Sequence, residues 1–468
     1  MKSFATECPP DSRFLLTTDL GSSNFKAAVF SADLKRLSEC SVPVSYSRQQ
    51  DNFWEMDPEE VCTKIRRLHR ETVRAAGLND DPADLPLAVC SQAQTFTILD
   101  PSGRPLIPLI SWIDSRAREE ANELGRHFAN PFHSHCSFPA PLPQLMISKL
   151  LWLKKHNPDM LRAPNRVVGI QNLAAETMCG RIHATDTNIA AMNGIYSLVD
   201  HSWYYAILEF CGLNPDTLDT PVAAGRKIVS DAGCTVMFAG NDQTAGAIAN
   251  GAAPDRIIAT FGTALVAYRR SGDVPGPYGP SCWGMYPGGG FYELGTRDQG
   301  CLALDRSRKQ LMPGSSVSEF FQAAETGRHR VNGETGFFYP ETTWSGTFRL
   351  DAEKAYAAAE GISFSLRDLI FDTMKSTPIH TVIAIGGGSR SDFWMQLTAD
   401  ILNIPVRRGS GDSLQGVAMM FFGRDAADDR TVVFQPNQKS VRLLNQRFKR
   451  WKTASEPRST ADLKYVKP

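Results

Sequence analysis

The sequence predicts an α/β protein of two related lobes facing one cleft. Strand-like apolar runs alternate with helical patterns along the chain, which is the mark of α/β layers. At 468 residues the chain is longer than one core usually supports, so two or three domains are expected. The third observation is a repeat. "LLTTDLGSSNFKAAVF", which begins at Leu15, returns about 240 residues later as "RIIATFGTALVAYRRSG". Both read as apolar strand, Thr, Gly, hydroxyl residue, apolar strand, and a repeat of this kind signals repeated architecture. One domain is expected over residues 11–240 and a second over 241–450.

The elements follow in order. Arg13–Leu16 and Phe25–Phe30 read as strands flanking a tight turn, with Val42–Tyr46 as a third strand. "WEMDPEEVCTKIRRLHRETVRAAG" reads as a helix: Asp57 suits the N-cap, Pro58 the first helical position, and Val61, Ile65 and Leu68 recur at helical spacing. "PLAVCSQAQTFTILDPSGRPL" reads as strand, polar turn, strand and Pro/Gly turn. "MISKLLWLKKH" and "WYYAILEFCGL" read as helices. "TVMFAGNDQTAGAIANGA" gives a strand, a Gly-rich turn and a small-residue helix. "TVIAIGGGSRSDFWMQLTADIL" gives a strand, the Gly386–Gly388 turn and a helix starting near Ser391 or Asp392. The basic tail after Asn437 reads as a closing helix and a frayed end.

Composition narrows the function. Lys+Arg and Asp+Glu both count 50, so no global field favours nucleic acid or an anionic membrane. Of ten Cys, the closest pair, Cys282 and Cys301, is 19 residues apart, and no CxxC occurs. Reduced, buried thiols of a cytoplasmic protein are expected, and not a disulfide or zinc framework. "MKSFATECPPDSRF" is too polar for a signal peptide, and no apolar run reaches the roughly 18 residues that span a bilayer. GxxxxGK[ST] is absent, as is GxGxxG after a first strand, which excludes a Walker-type NTPase and disfavours a Rossmann enzyme. His133 and His135 lack a third ligand nearby and read as loop histidines.

Four turns are candidates for chemistry. In the opening hairpin, a plain β-turn and an anion seat both fit. Gly21 lets N–H groups approach an anion, Ser22 and Ser23 supply hydroxyls, and Lys26 returns a positive charge. Asp19 ends the strand, where a carboxylate can hold Mg²⁺ through water. Asp beside an anion nest repels phosphate unless a cation lies between, so the two together suit a Mg–phosphate seat. In "FAGNDQTAGA", Asp242 is either a helix N-cap or a general base taking a hydroxyl proton. Gln243 beside it suits a substrate hydrogen bond. Gly262–Thr263 could hold phosphate, and Gly386–Ser391 opens a helix whose N-terminus favours anions, though a flexible turn explains three glycines equally well.

In this order the pieces resemble the FGGY carbohydrate kinases of the actin/hexokinase/Hsp70-like ATPase superfamily, over about residues 13–423. "DLGSSNFK" (Asp19–Lys26) is similar to that family's first phosphate motif, and "WEMDPEE" (Trp54–Glu60) to its x-Asp-Pro segment. The Gln92 stretch, with Trp112, Asp114 and Arg116, resembles its sugar side. "SKLLWLKKHNPDML" resembles its Lys-Leu-x-Trp helix, "AGNDQTAGA" its catalytic-Asp segment, "FGT" its second phosphate motif and "GGGSRSDFWMQLTADILNIPV" its adenosine motif. "SLQGVAM" stands where the family has an Ala-Leu-Gly-Ala-Ala helix. The sequence departs from the pattern in Gln92-Ala93-Gln94-Thr95, in Asn241 before Asp242, in Ala264 after Thr263 and in a missing Gly-Glu-Arg-Thr-Pro loop.

The resemblance implies two ribonuclease H-like (actin-like ATPase) domains and an ATP-dependent kinase acting on a ketose, such as the pentulose xylulose, or on a related polyol. It implies Asp242 as base and Mg²⁺ at Asp19. Phosphates would rest on Gly21, Ser22, Ser23, Asn24, Lys26, Gly262 and Thr263, with adenosine on Gly387, Gly388 and Ser391. The acceptor would lie on Gln92, Gln94, Trp112, Asp114, Gln144 and Gln243. A homodimer is common in that family. The rival reading is an actin-like ATP- or sugar-binding protein without turnover.

Overall fold

The computed structural model describes residues 13–79, 81–274, 281–331, 335–340, 344–373, 378–426 and 432–455. The polar N-terminal stretch and the frayed tail lie outside them, as do three residues of the segment 336–348 that stands near the missing loop.

The chain divides into two compact units. The first comprises Met1–Ala252, Arg270–Glu293 and Gly411–Asp428, and the second Ala253–Arg269, Leu294–Ser410 and Asp429–Pro468. The sequence reading expects one cut between residues 240 and 241. Instead the helix Asp242–Ala249 stays with the first unit, because it packs on the helix Ser413–Phe422. A Cβ on Gly416 would lie 1.8 Å from the Ala245 carbonyl oxygen, so only glycine permits this approach.

The first unit is built on a six-stranded sheet. Its strands are β1 (Phe14–Leu20), β2 (Asn24–Ser31), β3 (Arg36–Pro43), β4 (Leu87–Ser91), β5 (Lys227–Val229) and β6 (Thr235–Asn241), in the order β5-β6-β4-β1-β2-β3. β1 and β2 form the expected hairpin, and β1, β4 and β6 run parallel. Helices cover both faces, which is why these strands read as continuous apolar runs. Leu16, Leu20, Val29 and Val89 pack with Val61, Ile65 and Leu68 of the helix Pro58–Ala75. The alternate residues Leu15, Ala28, Phe30 and Met237 meet Ala245, Leu414 and Val417 on the other face.

The helix Pro58–Ala75 starts as its sequence predicts. Asp57 caps it by accepting from the Glu59 and Glu60 amides at 2.9 and 3.4 Å, and Pro58 is its first residue. The third strand departs from expectation. It spans Arg36–Pro43 and not Val42–Tyr46, ending where Pro43 has no N–H to donate. As a polar outer strand it lacks the alternation that would reveal it.

The second unit repeats the plan. Its main sheet, one of seven strands, includes β7 (Arg256–Phe261), β8 (Leu265–Ser271), β9 (Phe291–Arg297), β10 (Thr381–Ile385), β11 (Val406–Arg408) and β12 (Val433–Phe434), with neighbours in the order β9-β8-β7-β10-β11-β12. β7 and β8 form a hairpin, and β10 lies parallel to β7 and β11. This matches β3-β2-β1-β4-β6 strand for strand, so the hairpin repeat in the sequence marks a repeated sheet.

A smaller sheet in the first unit includes Phe53–Met56, Phe96–Leu99, Leu109–Ile110 and Arg166–Gly169. The helix Met146–His156 packs beside it, with Ile147, Leu150 and Leu151 in one core with Phe96 and Ile98.

Candidate functional site

In open α/β sheets, ligands bind beyond the carboxyl ends of parallel strands. In the first unit those ends belong to β1, β4 and β6, and they carry Asp19, Gln92 and Asp242. Register aligns them: Asp19 lies opposite Cys90, and Ser91 opposite Asn241. The Gln92 amide donates to the Leu20 carbonyl at 3.0 Å.

Asp19 is buried, 7% exposed. Its Oδ2 accepts a 2.6 Å hydrogen bond from the Ser413 hydroxyl, and its Oδ1 has no N–H or O–H donor, the Cys90 thiol being the remaining polar neighbour that lowers its pKa. Burial raises the pKa of this carboxyl. The Ser413 bond and the Lys26 ammonium, opposite it in the hairpin register, pull the other way, and the Asp412 charge raises it further.

Asp242 is not the helix N-cap. That position is taken by Asn241, whose side chain accepts from the Thr244 amide at 2.9 Å. Asn241 is itself gripped: Asn188 Oδ1 accepts from its backbone N–H at 3.1 Å and its side-chain amide at 2.7 Å. The Gly240 amide donates to Asp186 at 3.1 Å. The departure at 241 thus has a purpose, since an asparagine caps the helix and leaves the neighbouring carboxyl outside the cap. Asp242 keeps partial exposure and accepts from the Gln243 amide at 3.0 Å and from its side chain at 3.4 Å. Burial, then the Asp19 charge, pushes its carboxyl up to about 7.

The remaining hairpin candidates form a short open turn. Ser23 and Asn24 are exposed, and Gly21, Ser22 and Lys26 partly so. Tyr46 donates to the Ser22 carbonyl at 3.2 Å and the Val44 amide to that of Ser23 at 3.0 Å, so the carbonyls are tied back. A Cβ on Gly21 would stand 3.1 Å from the Asn24 carbonyl oxygen.

The acceptor-side candidates separate into two groups. Gln92 is buried with both amide atoms unpartnered, which leaves it a donor and an acceptor to offer. The Trp112 indole is 39% exposed, and Gln144 is partly exposed in the turn before the helix Met146–His156. Asp114 and Gln94, by contrast, are engaged within the fold. Asp114 is fully buried and accepts from the Trp54 amide at 2.7 Å and from Arg116 Nε and Nη2 at 2.9 and 2.7 Å. Expected to hold substrate, it instead holds Arg116. Gln94 donates through its side chain to the Met192 carbonyl at 3.1 Å and through its backbone to Asn193 Oδ1 at 2.8 Å.

In the second unit, parallel β7 and β10 end in Gly262–Thr263 and Gly386–Gly388. Thr263 is exposed at the tip of its turn. The turn's carbonyls accept from Cys301 and Gly300 amides at 2.8 and 3.0 Å. Gly300 went unnoticed in the sequence, although a Cβ there would lie 2.7 Å from the Ala264 carbonyl carbon. Its signal is spatial and leaves no local motif. Gly386 has φ +89° and its Cβ would meet the Phe261 carbonyl oxygen at 2.8 Å. Gly387 is open on the side a Cβ would occupy, whereas that side of Gly388 is filled by Trp394 at 2.6 Å. The Ser391 hydroxyl, expected at a ligand, caps the helix Asp392–Leu402 by accepting from the Trp394 amide at 3.2 Å.

Comparison with known proteins accords with this layout. The N-terminal domain of the FGGY family of carbohydrate kinases matches residues 14–262, and the family's C-terminal domain matches 338–420. A xylulose kinase of Staphylococcus xylosus is 21% identical, over 87% of this chain and 90% of its own. The solved xylulose kinase of Rhodospirillum rubrum superposes with a TM-score of 0.83 at 20% identity, over 94% of this chain and 98% of its own. Plasmodium falciparum glycerol kinase, solved with ADP, gives 0.80 at 16% identity over 95% and 98%. These likenesses establish the actin-like ATPase fold of sugar kinases.

Proposed function

Because the chain belongs to the FGGY family of carbohydrate kinases, and is a carbohydrate kinase on that ground, we propose that it moves the γ-phosphoryl of ATP to a hydroxyl of a ketose or polyol, with Asp242 as general base. The acceptor class is drawn from the relatives, which are named xylulose and glycerol kinases. A pentulose such as xylulose is the first choice.

One observation carries the reading. Asp242 lies free of the helix cap at the carboxyl end of β6, beside Asp19 and Gln92, with its carboxyl pushed up to about 7. A base whose pKa is near the working pH is both unprotonated and able to take a proton. Asp242 accepts the proton of the attacking hydroxyl. Gln92 offers its amide to the acceptor's hydroxyls, and Lys26 with the Gly21–Asn24 turn meets the phosphates. Gly262, Thr263, Gly387 and the 386–391 turn serve the nucleotide. Gly388 and Ser391 shape that turn from within it.

The site fits Mg²⁺. Asp19 Oδ1 is a buried carboxylate oxygen with no N–H or O–H donor, and among the described residues no group of three or more His, Cys, Asp or Glu forms a closed cage. A cation there would be held by Asp19 through water, supplying charge neutralisation for the phosphates. The chain's own residues would then exclude water from the transfer, since water competes for the phosphoryl group.

The test is ADP release measured against a panel of ketoses and polyols. Asp242→Asn should lose at least about 100-fold in kcat on the best acceptor, the scale of general-base catalysis. Wild-type turnover in that variant would refute the base. Lys26→Ala should raise the KM for ATP and leave that of the acceptor near the wild-type value.

A further inference from the structure

Lys149 is fully buried in the first turn of the helix Met146–His156. Its ammonium donates to the Ser111 carbonyl at 2.7 Å and the Gln94 carbonyl at 3.2 Å. Among the described residues it makes no ion pair. The nearest charges acting on it are Asp114, which favours the ammonium, and Arg116, which opposes it. Burial of an unpaired ammonium is costly, and its pKa falls to about 7. A leucine would fill the space without that cost. What lysine adds is two directed N–H donors.

Those donors join the two segments that carry the acceptor-side candidates. One is the turn from Gln92 to Thr95, the other Ser111–Trp112. Gln94 sits at φ +59°, a left-handed conformation that side-chain-bearing residues seldom adopt. Three bonds hold it there: its N–H to Asn193, its side chain to Met192 and its carbonyl to Lys149. The second segment is sewn to the first by the Trp112 amide, which donates to Thr95 Oγ1 at 3.0 Å. Between them, Gln92 is left buried with a wholly unpartnered amide.

We propose that Lys149 is a positioning residue for the sugar acceptor: by tying the Gln94 and Ser111 carbonyls together it fixes the turn that presents Gln92 and the segment that presents Trp112. The proposal rests on the kinase reading above. It assigns Lys149 no contact with either substrate. Its effect falls on the acceptor and not on ATP, because neither segment belongs to the phosphate or nucleotide turns.

The experiment measures KM for acceptor and for ATP in Lys149→Met and Lys149→Gln, with near-UV circular dichroism to confirm folding. Lys149→Met should raise the acceptor KM by tenfold or more with the ATP KM within twofold. Lys149→Gln, shorter but still a donor, can meet at most one carbonyl and should fall between. A role in packing alone would move both constants together or treat Met and Gln alike. Either result, or a folded Lys149→Met with the wild-type acceptor KM, overturns the proposal. If the Met variant fails to fold, the Gln variant decides by the same split. Absence of acceptor-dependent ADP release from the wild type across the panel would overturn the kinase reading itself, and the proposal with it.

Discussion

Burial and the Asp19 charge together disfavour ionisation of Asp242, and that has two measurable consequences. The first is kinetic. On the proposed role the base works unprotonated, so kcat/KM, which reports the free enzyme, should rise with pH through a limb near 7 and then level. The limb should vanish in Asp242→Asn, whose residual rate stays flat over that range. The second is thermodynamic. A carboxyl raised from its ordinary 3.8 to about 7 binds more protons folded than unfolded between those values. Its stabilising share is complete below about 4 and is lost as pH climbs through 7. Asp242→Asn should therefore melt higher than wild type at pH 8, by roughly 1 °C for each kcal/mol relieved in a chain of this length, and the gap should close toward pH 4. A calorimetric series over pH 4–8 reads both the sign and the window. The Asp242 segment could be read from sequence because strand, Gly-Asn-Asp and small-residue helix are contiguous. That Asn241, not Asp242, is the cap could not be, since either side chain suits that position.

Glycines set the approach of whole elements. Gly416 lets the helix Ser413–Phe422 lie against Asp242–Ala249, and Gly416→Ala should cost about 1–3 kcal/mol, the usual range for overpacking, read from urea unfolding. Gly300 supports the Gly262–Ala264 turn, so Gly300→Ala should raise the KM for ATP and spare that of the acceptor. The elements around Asp57, Met146 and Ser391 were legible because caps and periodicity are local signals. β3 was not, because a half-solvated outer strand carries little apolar alternation. The role of Gln94 was also hidden, as its partners Met192 and Asn193 are far away in sequence, and so was the Trp54 amide bond that helps bury Asp114.

At the scale of the molecule, two sheets that share a strand order over most of their strands follow each other along a chain that returns late to its first unit. The repeat was legible from two hairpins, because each carries the same strand-turn-strand chemistry at the start of its sheet. The return was not, because nothing local in "DSLQGVAMMFF" says which sheet it covers. Leu414, Val417 and Ala418 close a core face against Leu15, Ala28 and Met237. Residues 1–252 expressed alone should thus expose that face, bind a hydrophobic dye and melt without cooperativity, while the full chain does neither.

Ser413 reaching back to Asp19 spans 394 residues. On the ribosome, synthesis runs from the amino end, so the opening hairpin waits for almost the entire message to be read before its carboxylate acquires this donor. A nascent chain halted before codon 411 would hold the opening hairpin with Asp19 lacking the Ser413 hydroxyl. On the role proposed for Asp19, a product terminated there should release no ADP when given ATP and acceptor.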